Sequence, residues 1–87
     1  MKKVTHTKEY YLLLELLYSL RMESGLTQTE LASRIGMPQS YISKIENGER
    51  RVDIVELYKI CTALNCDFVN FISQYSCLLY TSDAADE

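Results

Sequence analysis

Little in this chain is equipped to bind a metal or to attack a substrate. It has one histidine, His6, near its beginning, and three cysteines, Cys61, Cys66 and Cys77, an odd number without a C-x-x-C pair. Neither a zinc site nor a Cys–His nucleophile is therefore expected, and Cys61 and Cys66 read as small core residues in a reducing compartment. No long hydrophobic run is present. The longest, Tyr10 to Leu20, is interrupted by Glu15 and Ser19 and falls short of the about 20 residues of a membrane span. Met1-Lys2-Lys3 is basic, but no cleavable apolar segment follows, so no secretory signal is read. A basic excess is missing too: 9 Lys and Arg stand against 12 Asp and Glu, for a net charge of −3. Taken whole, that argues against a nucleic-acid partner, because phosphate binding needs positive surface. Yet Asp83, Asp86 and Glu87 lie in the last five residues, so residues 1–82 balance to zero and the acidity belongs to the tail.

What is present suits one small domain. The 87 residues are 47% hydrophobic and 24% charged, the balance of an ordinary soluble globular protein with a modest core and no room for a lidded substrate cleft. Periodicity predicts helices and no strands. Tyr10, Leu13, Leu14, Leu17 and Leu20 recur at three- and four-residue intervals from Lys8 to Ser24, and Gly25 ends that helix. Thr27-Gln28-Thr29-Glu30 is a capping box for a second helix, reaching about Ile35 with Leu31, Ala32 and Ile35 inward. Gly36-Met37-Pro38 breaks it, and a third helix runs from Pro38 or Gln39 to Glu46, stopped by Asn47-Gly48. Asp53-Ile54-Val55-Glu56 opens a fourth with Leu57, Ile60, Cys61 and Leu64 inward, and Asp67 caps a fifth carrying Phe68, Phe71 and Ile72. The expected fold class is all-α, a compact bundle of five helices.

Residues 27–47 distinguish this bundle from others. Two helices of about eight residues, joined by a glycine-containing turn, form a helix-turn-helix whose second helix can enter a DNA major groove. On that helix Ile42 and Ile45 point one way, while Ser40, Ser43, Lys44 and Asn47 point the other, with Gln39 and Tyr41 at the edges. The polar face carries amides, hydroxyls and one cation, with no carboxylate at its centre. An amide can pair bidentately with adenine, and a hydroxyl can donate or accept. A merely solvated helix face more often carries Glu–Lys pairs four residues apart.

Thr27-Gln28-Thr29-Glu30-Leu31-Ala32, then Gly36, then Gln39 through Gly48, resembles the Cro/phage-repressor type of helix-turn-helix regulators, the XRE-like family. The resemblance spans about Leu20 to Ile72, including Leu57, Ile60 and Leu64. It implies the lambda-repressor-like five-helix fold, with the helix-turn-helix formed by helices 2 and 3. It also implies that Gln28 binds a phosphate and braces Gln39, that Gln39, Ser40 and Ser43 face bases, and that Tyr41 and Lys44 contact bases or backbone. Asn47 would bind phosphate, with basic Arg50-Arg51 following in the loop. The residues themselves agree in part: Thr27 to Thr29 place helix-terminal amides and hydroxyls where a phosphate could dock. Arg34 through Arg51 carries four cations against Glu46 and Glu49, a local excess of +2. Plainer readings stay open, in which Gln28 is only a helix former, Gln39 an exposed first residue, Arg50-Arg51 a solvated loop, and Tyr41 packs its ring on the first helix. Glu46, by the same resemblance, pairs with Arg21 as a structural ion pair.

The chain departs from the family in having Val52 before the Asp53 cap where many members carry proline, and Val52 reads as a small apolar plug. Leu12 and Leu16 lie beyond the main apolar stripe of the first helix, with Tyr11 and Tyr18 on the opposite rim. Packing against Phe68–Ile72 accounts for them, with a dimer contact as the second possibility. Residues 1–75 form the expected DNA-binding domain. Residues 76–87 lack a cap and a sustained period; they read as a disordered tail resembling translated sequencing-adaptor DNA, or else a frayed native end. The reading as a whole is a cytoplasmic, bacterial or phage-encoded regulator, a repressor in sense. It would bind a palindromic double-stranded operator as a homodimer, without catalysis, cofactor, metal, small-molecule ligand or membrane. The alternatives are the antitoxin or accessory subunit of a two-protein system, and a protein-interaction module on the same fold.

Overall fold

Each helix begins and ends where short polar residues and left-handed backbone allow it. In the computed structural model residues 7–85 are described, their side chains as far as Thr81; the readings resting on Met1-Lys2-Lys3, His6, Asp86 and Glu87 lie outside the described residues. Helix α1 (Lys8–Ser24) is capped by Thr7, whose Oγ1 accepts the Tyr10 amide at 3.1 Å. Gly25, at φ 73°, ends it in the left-handed region that glycine enters without a Cβ penalty. Helices α2 (Gln28–Arg34), α3 (Gln39–Glu46), α4 (Ile54–Ala63) and α5 (Phe68–Ala85) follow. Both expected capping boxes are closed. Thr27 Oγ1 accepts the Glu30 amide while Glu30 accepts the Thr27 amide, and Asp53 and Glu56 do the same for α4. Asp67 Oδ2 accepts the Asn70 amide at 3.0 Å to start α5. The end of α4 uses a device the sequence did not single out: Asn65 takes φ 58° and the Cys66 amide returns to the Cys61 carbonyl. Asparagine is one of the few residues that tolerates this conformation.

The core draws side chains from all five helices. Leu13, Leu14 and Leu17 are buried as expected, together with Leu31, Ala32, Ile42, Ile45, Leu57, Ile60, Cys61 and Leu64. Leu16, expected beyond the main stripe, is also buried, because α5 packs along α1 and widens the covered face. Tyr11 and Tyr18 remain exposed. On α5 the buried line is Phe68, Phe71 and Tyr75, with Phe71 fully buried and the others half-buried. Ile72 does not join it and is 39% exposed, since one residue past Phe71 is about 100° further round the helix. Burial pushes the Cys61 thiol up to about 12, so it is an inert core group rather than a nucleophile.

Two long-range hydroxyl contacts lock the ends of the bundle. Tyr75 donates to the Glu9 carbonyl at 2.6 Å, and the Val52 amide donates to the Tyr10 hydroxyl at 2.9 Å. Half-buried Val52 packs against the core beneath that second contact. Helix α5 continues to Ala85, so residues 76–85 are helical where the sequence suggested an irregular tail. No glycine or proline follows Gly48 to stop a helix, and the helix once nucleated on the core propagates cheaply. Among the described residues no helix is long and apolar enough to cross a membrane.

Phe71 is the fully buried anchor of α5, so Phe71→Ala should cost about 3–5 kcal/mol of folding free energy. A urea unfolding series with an unchanged m-value is the measurement; a loss under 1 kcal/mol would mean that α5 is not part of the core.

Candidate nucleic-acid interface

The turn between α2 and α3 is built from Ile35 to Pro38. Gly36 sits at φ 71° with open space where a Cβ would be, so the need for glycine there is conformational alone. The Met37 amide closes on the Ala32 carbonyl at 2.9 Å, and Pro38 precedes the first turn of α3 in extended conformation. Helix α3 then turns Ile42 and Ile45 inward, each 1% exposed. Gln39, Ser40, Lys44 and Asn47 are exposed and Ser43 is half-buried. The outer face is therefore amide, hydroxyl and ammonium in character, with Thr27 and Thr29 exposed beside it at the start of α2. Thr27 and Glu30 already satisfy each other's amides, which leaves the amides of Gln28 and Thr29 at that helix start.

Beneath this face four side chains form one hydrogen-bonded chain. Arg21 grips Glu46 with two contacts, Nε to Oε2 at 2.7 Å and Nη2 to Oε1 at 3.0 Å, and donates Nη1 to the Leu26 carbonyl at 2.8 Å. Both members of the pair are about nine-tenths buried, and the Arg21 guanidinium lies 5.4 Å from the Tyr18 ring centroid. Hydrogen bonding to Glu46 raises the Arg21 pKa further above its ordinary value. Glu46 Oε1 also accepts Gln28 Nε2 at 2.8 Å, and Gln28 Oε1 accepts Gln39 Nε2 at 2.7 Å. The pair thus joins α1 to α3 and also carries the orientation of α2 to the exposed end of α3.

Two residues read as contacts are placed otherwise. Tyr41, grouped with the DNA-facing residues, is buried at 9% exposure. Its ring lies under Arg50, with the guanidinium 4.7 Å from the centroid. Burial, then hydrogen bonding to Glu56, pushes its hydroxyl up to about 12. Helical periodicity puts Tyr41 at the boundary of the two faces, and the Arg50–Glu56 pair is what covers it. Arg50, in turn, is not a loose loop cation. It pairs with Glu56 through Nη2–Oε2 at 2.9 Å and Nη1–Oε1 at 3.2 Å. Arg50 and then the Asp53 amide, both hydrogen-bonded to Glu56, hold its carboxyl at about 2. No local sequence signal announces the pair, because its partners are six residues apart across a loop and a helix cap. Arg51 is the exposed cation of the loop, its guanidinium 4.7 Å from the Tyr10 ring centroid. The Asn47 side chain makes a long contact to Glu49, at 3.5 Å. Among the described residues no group of His, Cys, Asp or Glu is placed to hold a metal ion.

Comparison with known proteins places this geometry. A family model described as helix-turn-helix matches residues 17–71. The chain is 39% identical over 54 residues to the uncharacterized HTH-type transcriptional regulator y4dJ of Sinorhizobium fredii, covering 62% of this chain and 70% of that protein. Among solved structures it is similar to an XRE-family like protein from Pseudomonas syringae pv. tomato, with TM-score 0.77 and 41% identity over 80% of this chain and 85% of the other. It is also similar to the C.Esp1396I chain of a nucleoprotein complex, with TM-score 0.73 and 27% identity over 80% of this chain and 91% of that one.

Glu46→Gln leaves a buried guanidinium without its counter-charge, a change costing about 3–5 kcal/mol where no other partner remains. Arg21 keeps the Leu26 carbonyl, so the loss should lie at or below the lower end, read as a fall in the melting temperature. No fall at all would refute the structural role of the pair. Glu56 generates a pH dependence. Its carboxyl titrates near 4.5 when unfolded and at about 2 when folded, so its contribution is complete above 4.5 and is lost as pH falls towards 2. Unfolding free energies measured across that window should rise with pH, more steeply than in Glu56→Gln; parallel curves would refute the pairing.

Proposed function

The chain belongs to the XRE-type helix-turn-helix family of DNA-binding transcriptional regulators, and from that membership we propose that it represses transcription by inserting α3 into the major groove of a palindromic operator. The observation that carries the reading is the outer face of α3, polar and exposed over a fully buried Ile42–Ile45 edge, with its first residue already held by Gln28. Gln39, Ser40 and Ser43 read base edges, and Lys44 reaches bases or backbone. Gln28, Asn47 and Arg51 bind phosphates, and Thr27 and Thr29 line the same backbone. Tyr41 and Arg50 act at one remove: they fix the loop that carries Arg51.

The protein works as a homodimer, because two copies of α3 about 34 Å apart meet successive major grooves on one face of the duplex. Its binding unit is residues 1–75, since among the described residues Tyr75 is the last of α5 to pack against the core. It acts in the cytoplasm, as a regulator rather than a catalyst. With residues 1–82 neutral and +2 between Arg34 and Arg51, non-specific binding is weak and affinity depends on base contacts from both subunits.

Selection of bound duplexes from a random pool, with retention followed against salt, tests this directly. A two-fold symmetric consensus is expected, and no enrichment at any salt concentration would overturn the proposal. Gln39→Ala should cost about 1–3 kcal/mol on the selected site and relax its sequence preference, whereas Arg51→Ala should weaken all sequences alike and lower the salt slope by about 1. Equal loss on selected and random DNA for Gln39→Ala would remove it from base reading.

A further inference from the structure

We propose that Glu46, beyond joining α1 to α3, is a positioning residue that dictates which hydrogen-bonding groups Gln39 shows to a base. This rests on the DNA-reading role assigned to α3 above.

A glutamine amide is ambiguous: its oxygen and nitrogen ends are nearly the same shape, and a free side chain can present either. Here the ambiguity is removed from inside the protein. The Glu46 carboxylate, paired with Arg21, can only accept hydrogen bonds. The end of Gln28 lying 2.8 Å from it must therefore be Nε2, which turns Gln28 Oε1 towards α3. That oxygen can only accept in its turn, so the end of Gln39 lying 2.7 Å from it must be Nε2. Gln39 is left with Oε1 and its second Nε2 proton for a ligand. One acceptor beside one donor is the complement of an adenine edge, N6 donating and N7 accepting. Reversing the chain at Glu46 reverses every amide above it and points the Gln39 nitrogen at the base. The nine-tenths burial of Arg21 and Glu46 keeps water from competing for the contact that sets the direction.

The source of the polarity is thus a buried charge on the inner side of α3, two contacts away from Gln39. A purely structural Glu46 would affect stability and bind all sequences less well; a positioning Glu46 changes which base is preferred at one position of each half-site.

Two variants test this, in the full chain. Glu46→Gln replaces the acceptor-only group by one that can donate or accept. Gln28→Met keeps the shape and the Arg21–Glu46 pair but cuts the chain, so it decides the matter if Glu46→Gln does not fold. Each is assayed by selection from a random duplex pool and by the NMR signals of the Gln39 side-chain amide in the free protein. In both variants the base preference at the single position under Gln39 is expected to fall on the order of tenfold, with neighbouring positions unchanged and the Gln39 amide protons shifted. Preference and amide signals both unmoved, with Gln39→Ala still losing selectivity, overturn the proposal. So does a uniform loss over all positions in Gln28→Met, which marks a phosphate contact and nothing more. If the unaltered protein enriches no sequence, the DNA-reading role fails instead; the amide signals, which need no DNA, report separately on whether the chain from Glu46 to Gln39 exists.

Discussion

The contact between Arg21 and Glu46 is the constraint on which the rest of the interface depends. A charge placed in a dry site must be matched on all sides, because each unpaired hydrogen-bonding group there costs more than a pair contributes. Arg21 meets this demand by gripping Glu46 with two nitrogens and the Leu26 carbonyl with a third. Three segments are thereby held at fixed distances: the end of α1, the loop before α2, and the end of α3. The remaining capacity of the carboxylate is taken by Gln28, so the same charge that fastens the bundle also orders the surface. One group thus joins the helices and holds Gln28 against Gln39, and the outer face of α3 needs no charge of its own to be held in place.

A second ion pair does comparable work on the other side. Arg50 and Glu56 join the loop after α3 to the first turn of α4, and Tyr41 lies beneath them. Glu56 serves both this pair and the capping box with Asp53, which accounts for its low pKa. The loop can therefore present Arg51 without being long or glycine-rich. Two buried or half-buried anchors, one on each flank, hold a recognition helix of only eight residues, too short to be stable by itself.

How much of this is legible in the sequence depends on the range of the interaction. Helix boundaries are local, and Thr27-to-Glu30, Asp53-to-Glu56 and Gly25 each state theirs within four residues. The inward line of α3 is likewise local, since Ile42 and Ile45 are three apart. Tyr41 is different: at the edge of the helix, its burial depends on the Arg50–Glu56 pair beyond α3, and periodicity alone leaves both outcomes open. Ile72 is misplaced for a similar reason, because the line along which α1 and α5 touch sets which of two adjacent faces is covered. The helicity of residues 76–85 also escapes a reading based on apolar period, since a helix growing from a packed segment needs no second stripe.

The sequence by itself determined the presence of the five helices, the capping boxes that open α2 and α4, and the polar inventory of the recognition face. All of these follow from contacts within one or two turns of chain, where residue type and spacing suffice. Only the tertiary structure decided which cations are left for a partner, which aromatic ring is hidden, and which end of each amide points outward. Those outcomes depend on groups that are distant in sequence, such as Arg21 and Glu46 at a separation of 25 residues. Burial fixes which pairs must form, and the pairs in turn fix what the surface can offer.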